Sequence, residues 1–277
     1  MSPRHLLLAV LPLALSGCPR DKEEESLSLA QAQQAVEEAT LSSQASTLTS
    51  DAVEIATNFT IGQAVETAAA QLRDFIMSQL PCADVTLQNA TLTVAYGVKP
   101  GNCTYNGHAF SGATSVTISS IADGKVVVEH SWDKLSNGVV SVTGDATVTW
   151  DFESKSRHVV HTATWTRVSD GRTGTGTGDR TQTVLSGGLI EGIRVDGART
   201  WDGKSGHWEL AIDGVEVRWV DPVPQSGVYS LTTPFDGRHL DMSFQRLDDK
   251  RIQVTVTTGS RSFKFVVTAL GGVNSSD

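Results

Sequence analysis

Basic residues are the scarcer charge in this chain: 22 Lys and Arg stand against 31 Asp and Glu, for a net charge of −9. Nucleic-acid binding needs a basic patch to neutralise phosphates, and this balance argues against it. It argues equally against lying flat on an anionic bilayer. Cysteine is scarce too, with three residues in 277. No Cys-x-x-Cys pair and no His-Glu-x-x-His occurs, so both common zinc signatures are missing. No Gly-x-Ser-x-Gly elbow marks a hydrolase nucleophile. No carboxylate pair stands out as a glycosidase couple. Beyond the first residues, no stretch approaches the roughly 18 uninterrupted apolar residues of a membrane-spanning helix. The expectation is a chain without metal or cofactor.

The N-terminus holds the most specific motif. Arg4 precedes an apolar run from Leu6 to Leu15, and Leu15-Ser16-Gly17-Cys18 closes it. A basic start, a short apolar core and small residues before a cut site make a secretory signal. The run contains Pro12 and is too short for a hydrocarbon core, which takes about 20 apolar residues. Its ending resembles the lipobox of bacterial lipoproteins. That resemblance implies cleavage before Cys18, acylation of its thiol and new amino group, and a membrane anchor in the bacterial envelope. In that class Asp after the cysteine goes with inner-membrane retention. Here the residue is Pro19, which favours the outer membrane. Export also brings an oxidising compartment, where Cys82 and Cys103 are expected to pair. A bridge closing a loop of that size contributes about 3 kcal/mol. The alternative is a two-thiol metal site, with His108 as its one further candidate ligand.

The chain divides into a signal over 1–17, an acylated cysteine and acidic tether over 18–28, a helical segment over 29–81 and a β domain over 82–277. In the helical segment the strongest pattern starts at Thr60, which with Gln63 fits a capping box. Ile61, Val65, Ala68, Leu72, Phe75, Ile76 and Leu80 then form one stripe, and Pro81 ends the helix. Ala30 to Ala39 has less apolar bulk. The Ser/Thr-rich stretch Thr40 to Ser50 separates it from a short helix opened by Asp51 and Glu54. From Val85 on, apolar residues alternate with polar ones, as in an antiparallel sheet with one wet face. Asp-Gly dipeptides at 123–124, 170–171, 196–197, 202–203, 213–214 and 236–237, with Asn137-Gly138, read as hairpin turns. Prolines at 222 and 224 mark a possible sub-boundary near 221–226, though a continuous sheet is favoured over two domains. The expected fold is mainly β (α+β): a long curved antiparallel meander sheet or partial barrel, covered by N-terminal helices with the Thr60 helix foremost. A two-layer β-sandwich is the alternative.

Candidate chemistry is sparse. His158 and His161 are three apart, so one strand aims them at opposite faces. His161 shares a face with Trp165, and His130 with Trp132, and these two pairs are expected to be cross-strand neighbours. Gly174, Gly176 and Gly178 invite a phosphate-loop reading, but their surroundings suggest strand rather than a helix N-terminus. Ser131 and Lys134 match a Ser-x-x-Lys spacing by chance, without the accompanying motifs. Six tryptophans lie in the β region, at 132, 150, 165, 201, 208 and 219, where an indole can line a core or a groove. Trp132, Trp150, Trp165, His130 and His161 are the candidate ligand-binding residues. Three functions fit: a non-enzymatic envelope lipoprotein that binds a partner protein or serves structurally, a carrier of lipid or another apolar molecule in a sheet–helix cavity, and a hydrolase whose site is dispersed in sequence. The carrier reading rests on likeness to lipoprotein-localisation factors, at the level of fold alone.

Overall fold

A computed structural model describes residues 26–57, 64–105, 107–122, 124–188, 191–218, 221–268 and 273–275. Cys18, most of the acidic tether, the Thr60–Gln63 pair and Trp219 lie outside the described residues. Two helices lead the chain, α1 (Leu29–Ile55) and α2 (Val65–Gln79). Sixteen strands follow: β1 (Asp84–Gln88), β2 (Thr91–Tyr96), β3 (Thr104–Tyr105), β4 (His108–Ala109), β5 (Ser111–Ala122), β6 (Lys125–Ser136), β7 (Val140–Asp151), β8 (Ser156–Arg167), β9 (Thr173–Val184), β10 (Ile193–Gly203), β11 (Gly206–Arg218), β12 (Asp221–Thr232), β13 (His239–Arg246), β14 (Arg251–Thr258), β15 (Arg261–Thr268) and β16 (Val273–Ser275). All but β3 and β4 form one 14-stranded sheet in chain order, from β1 to β16. The fold is mainly β, an open antiparallel meander with the helices packed against it and no closure into a barrel. β3 and β4 make a separate two-stranded ribbon.

The sheet follows from the alternation in its strands. β9 reads exposed-buried without a break from Thr173 to Gln182. Its three glycines fall on the buried face, so the Gly-x-Gly-x-Gly run is strand and not a phosphate loop. A Cβ on Gly174 would stand 2.8 Å from the Trp165 ring, and one on Gly176 would stand 2.6 Å from the Trp201 Cβ. These glycines give the indoles room. Two of the Asp-Gly pairs are not hairpin turns. Asp196-Gly197 and Asp213-Gly214 fall inside β10 and β11, where the register shifts. Glycine within a strand marks a bulge, and Asp196 Oδ1 accepts the Gly214 N–H at 2.7 Å across the two. Pro222 and Pro224 stand in β12, in the part that has no register partner on β13. Their missing donors therefore break no ladder on that side.

The helices depart from the expected arrangement. Thr40 to Ser50 does not interrupt the helical segment; α1 is one helix of 27 residues. Ser28 caps it, accepting the Gln31 N–H, while the Gln31 side chain accepts the Ser28 N–H at 2.9 Å. α2 starts at Val65, with Ala64 as its N-cap. α2 buries one stripe, Ala68, Ala69, Leu72 and Ile76, against β1, β2 and β5. α1 behaves differently. Leu41 to Ala45 and Leu48 to Val53 are buried without a gap, and each run exceeds one helical turn. α1 is thus enclosed on all sides there and touches strands as far apart in the sheet as β7, β12 and β16. The sheet bends around α1, which takes the central place expected of α2. Neither described helix is long and apolar enough to cross a membrane.

Cys82, just after α2, is bonded to Cys103, just before β3, with Cα atoms 5.3 Å apart. The bridge ties the end of α2 to the small ribbon.

The close contacts at β9 give a test. Gly176→Val forces a side chain against Trp201, and overpacking of this kind costs about 1–3 kcal/mol. Thr181→Ala, on the exposed face of the same strand, should stay within about 0.5 kcal/mol of wild type. Urea unfolding midpoints for the two variants check this.

Candidate binding site between helix α1 and the sheet

Three arginines occupy the inward phase of adjacent strands: Arg157 on β8, Arg180 on β9 and Arg199 on β10, at 2%, 2% and 4% exposure. The registers place them on a diagonal. Arg157 lies opposite Gln182, Arg180 opposite Val159, and Arg199 opposite Gly178. Each step moves one strand over and one inward position along. Above this diagonal α1 presents Ser43, Ser46, Ser50 and Glu54, spaced three and four apart, which is one stripe of a helix.

The two stripes bond to each other. Arg199 donates to the Ser42 carbonyl at 3.0 Å, to the Ser43 hydroxyl at 3.4 Å and to the Tyr229 hydroxyl at 3.2 Å. Arg180 donates to the Ser46 hydroxyl and, at 3.5 Å, to that of Ser50. Gln182 also donates to Ser50, at 3.3 Å. Arg157 donates to Gln182 and to Glu54, the latter at 2.9 Å, and its guanidinium lies 4.9 Å from the centre of the Trp150 ring.

The charges do not balance along this seam. Arg157 has the Glu54 carboxylate. Among the described residues no carboxylate bonds Arg180 or Arg199, and none accepts from the Nε–H of either. Burial, then the guanidiniums of Arg199 and Arg157, draws Arg180 down to about 9, still charged at neutral pH. Burial, then Arg157, lowers His130 to about 3. Burial, then Arg180 and Arg199, lowers His161 to about 2. Asp51 goes the other way: burial raises it well above the usual range and Glu54 adds to this, against the pull of Arg157. Its carboxylate stands 3.6 Å from His108 Nδ1.

The packing leaves space on the hydroxyl side of α1. A cavity of about 450 Å³, including its open part, has Arg180, Arg199, Arg218 and Ser46 on its polar side. Ile193, Val195, Ile212 and Val217 form its apolar wall. A second, smaller void shares Ser46 and Arg199 with the first and reaches His161 and Trp165.

The candidate ligand residues are thus divided. His161 and Trp165 border the second void. His130 and Trp132, stacked with ring centres 6.2 Å apart, are buried in the core on β6. Trp150 lies under Arg157. The histidines are not cross-strand neighbours: His130 is opposite Ala146, which is opposite His161. In a meander β7 must stand between β6 and β8, which puts the two backbones about 10 Å apart. His158 faces outward, with Nε2 2.6 Å from Asp179. Among the described residues no group of three His, Cys, Asp or Glu could hold a metal ion. The arginine diagonal escapes a search for His and Cys motifs. Its signal is the placement of Arg157, Arg180 and Arg199 in the buried phase of strands whose other inward residues, His161 and Gln182 apart, are apolar or small.

No family model matches the chain, and no curated protein or solved structure matches it either.

The buried histidines set a pH dependence. Both are neutral in the fold and take up protons on unfolding below 6.5, their ordinary value. The unfolded state then binds more protons, so stability falls as pH drops below 6.5. Asp51 has the opposite sign: the fold holds its proton longer, and that contribution is lost as pH rises through its raised value. His161→Asn should reduce the slope of stability against pH, between about pH 6 and 4, by about one proton. Urea unfolding across that range measures it, and an unchanged slope would mean that His161 titrates normally in the fold.

Proposed function

We propose that this chain is a lipid-anchored protein of the bacterial envelope, held at Cys18 and directed to the outer membrane, whose β domain is a non-enzymatic binding protein. The anchor rests on the Leu15-Ser16-Gly17-Cys18 motif and its apolar leader. The binding role rests on one observation: two buried guanidiniums beside a cavity, with no carboxylate among the described residues to neutralise them. A cover that served only to hide the sheet would be as stable with apolar residues there, because buried ions cost several kcal/mol in desolvation. Buried charged groups converging on a cavity mark a candidate binding site. The apolar wall of the same cavity favours, within this reading, a carrier of a small molecule with an apolar part.

Two measurements test it on the full chain expressed in a bacterial host. Metabolic labelling with an alkyne fatty acid should mark the wild type and leave Cys18→Ser unmarked; equal labelling would remove the anchor. Native mass spectrometry of the wild type should show a bound small molecule of the envelope. A bare mass that stays unchanged on adding envelope extract would count against the binding role.

A further inference from the structure

We infer that the cavity beside Arg180 and Arg199 is a site for an organic oxyanion with a short apolar body, such as a medium-chain carboxylate. The inference rests on the reading of the chain as a binding protein and names the chemistry of its ligand. Arg180 and Arg199 face the cavity from adjacent strands, and Arg218 adds a third guanidinium from β11. Each buried guanidinium uses its Nη groups on α1 or Tyr229 and keeps an Nε–H without an acceptor among the described residues. An oxyanion in the cavity supplies the missing charge. The Ser46 and Ser50 hydroxyls accept from Arg180 and retain their own protons to donate. Across from these groups Ile193, Val195, Ile212 and Val217 offer no polar side chain, so the rest of the ligand is apolar. Ser46, Thr47 and Arg218 are only half-buried, which places the mouth of the site on that side of α1.

Calorimetric titration of the full chain in a nonionic detergent tests this, with detergent alone as the blank. Three probes are used: octanoate, its neutral analogue 1-octanol, and inorganic phosphate. Octanoate should bind at least tenfold more tightly than either of the others. Arg180→Met and Arg199→Met should each weaken octanoate at least tenfold; because each also removes a contact with α1, binding is compared on variants whose thermal unfolding shows that they are folded. Should a variant fail to fold, the ¹⁵Nε signals of the wild type decide: octanoate should shift those of Arg180 and Arg199 and leave Arg157, already paired with Glu54, in place. Equal binding of octanoate and octanol overturns the role of the guanidiniums. Phosphate binding as tightly as octanoate overturns the apolar body and leaves a bare anion site. A neutral molecule found bound in the native mass spectrum removes this inference while the binding role stands. No bound molecule and no octanoate binding remove both.

Discussion

A polar helix enclosed by a sheet is the constraint on which the rest of this structure depends. α1 is buried around its whole circumference at Leu41–Ala45 and Leu48–Val53, yet it carries Ser42, Ser43, Gln44, Thr49, Ser50 and Asp51 in those runs. Each buried polar group that lacks a partner costs about 1–3 kcal/mol. The sheet therefore has to supply partners from its inward face, and it does so with Arg157, Arg180, Gln182 and Arg199. The small residues of α1 allow close approach, and long guanidinium side chains reach across to them. The same demand explains β9, where glycine alternates with threonine. Inward positions left empty by Gly174, Gly176 and Gly178 are filled by Trp165, Trp201 and His161 from the neighbouring strands.

Charge along α1 is distributed unevenly, and the unevenness locates the site. Glu37 and Glu38 meet Arg172, at 3.7 and 3.1 Å. Glu54 meets Arg157 further along. Between these ends, opposite Arg180 and Arg199, α1 offers hydroxyls and one carbonyl. A hydroxyl satisfies a donor but not a charge. Positive potential accordingly collects at the middle of the seam, and the neutral state of His161 is a consequence of it, after burial itself.

How much of this could be read from the sequence depends on which interaction fixed each element. The meander was legible because period-two alternation and hairpin dipeptides are local signals. The stripe of α2 was legible for the same reason, as it packs on one face only. α1 was not. Thr40 to Ser50 is weak by helix propensity, and the helix there is held by Arg180 and Arg199, some 130 to 157 positions away in sequence. Tertiary partners override propensity in such cases. The same distance hid the site. His130 and His161 looked like neighbours because each stands beside a tryptophan, but only the strand order shows β7 between them. Asp196-Gly197 and Asp213-Gly214 have the composition of turns and serve as paired bulges, a distinction that register alone can make.

On the proposed reading the arginines have two roles, and the geometry of the guanidinium is what separates them. Each group carries five N–H donors in a fixed plane. In Arg180 and Arg199 the Nη atoms are spent on α1 and Tyr229, which orients the helix against the sheet. The Nε edge is not needed for that task. Lysine could hold α1 with its single ammonium but would present no second, fixed edge to a ligand. A guanidinium bonded only to hydroxyls and a carbonyl thus holds α1 in position while its charge stays uncompensated. The cavity lies beside the same side chains, where among the described residues no carboxylate of α1 bonds them.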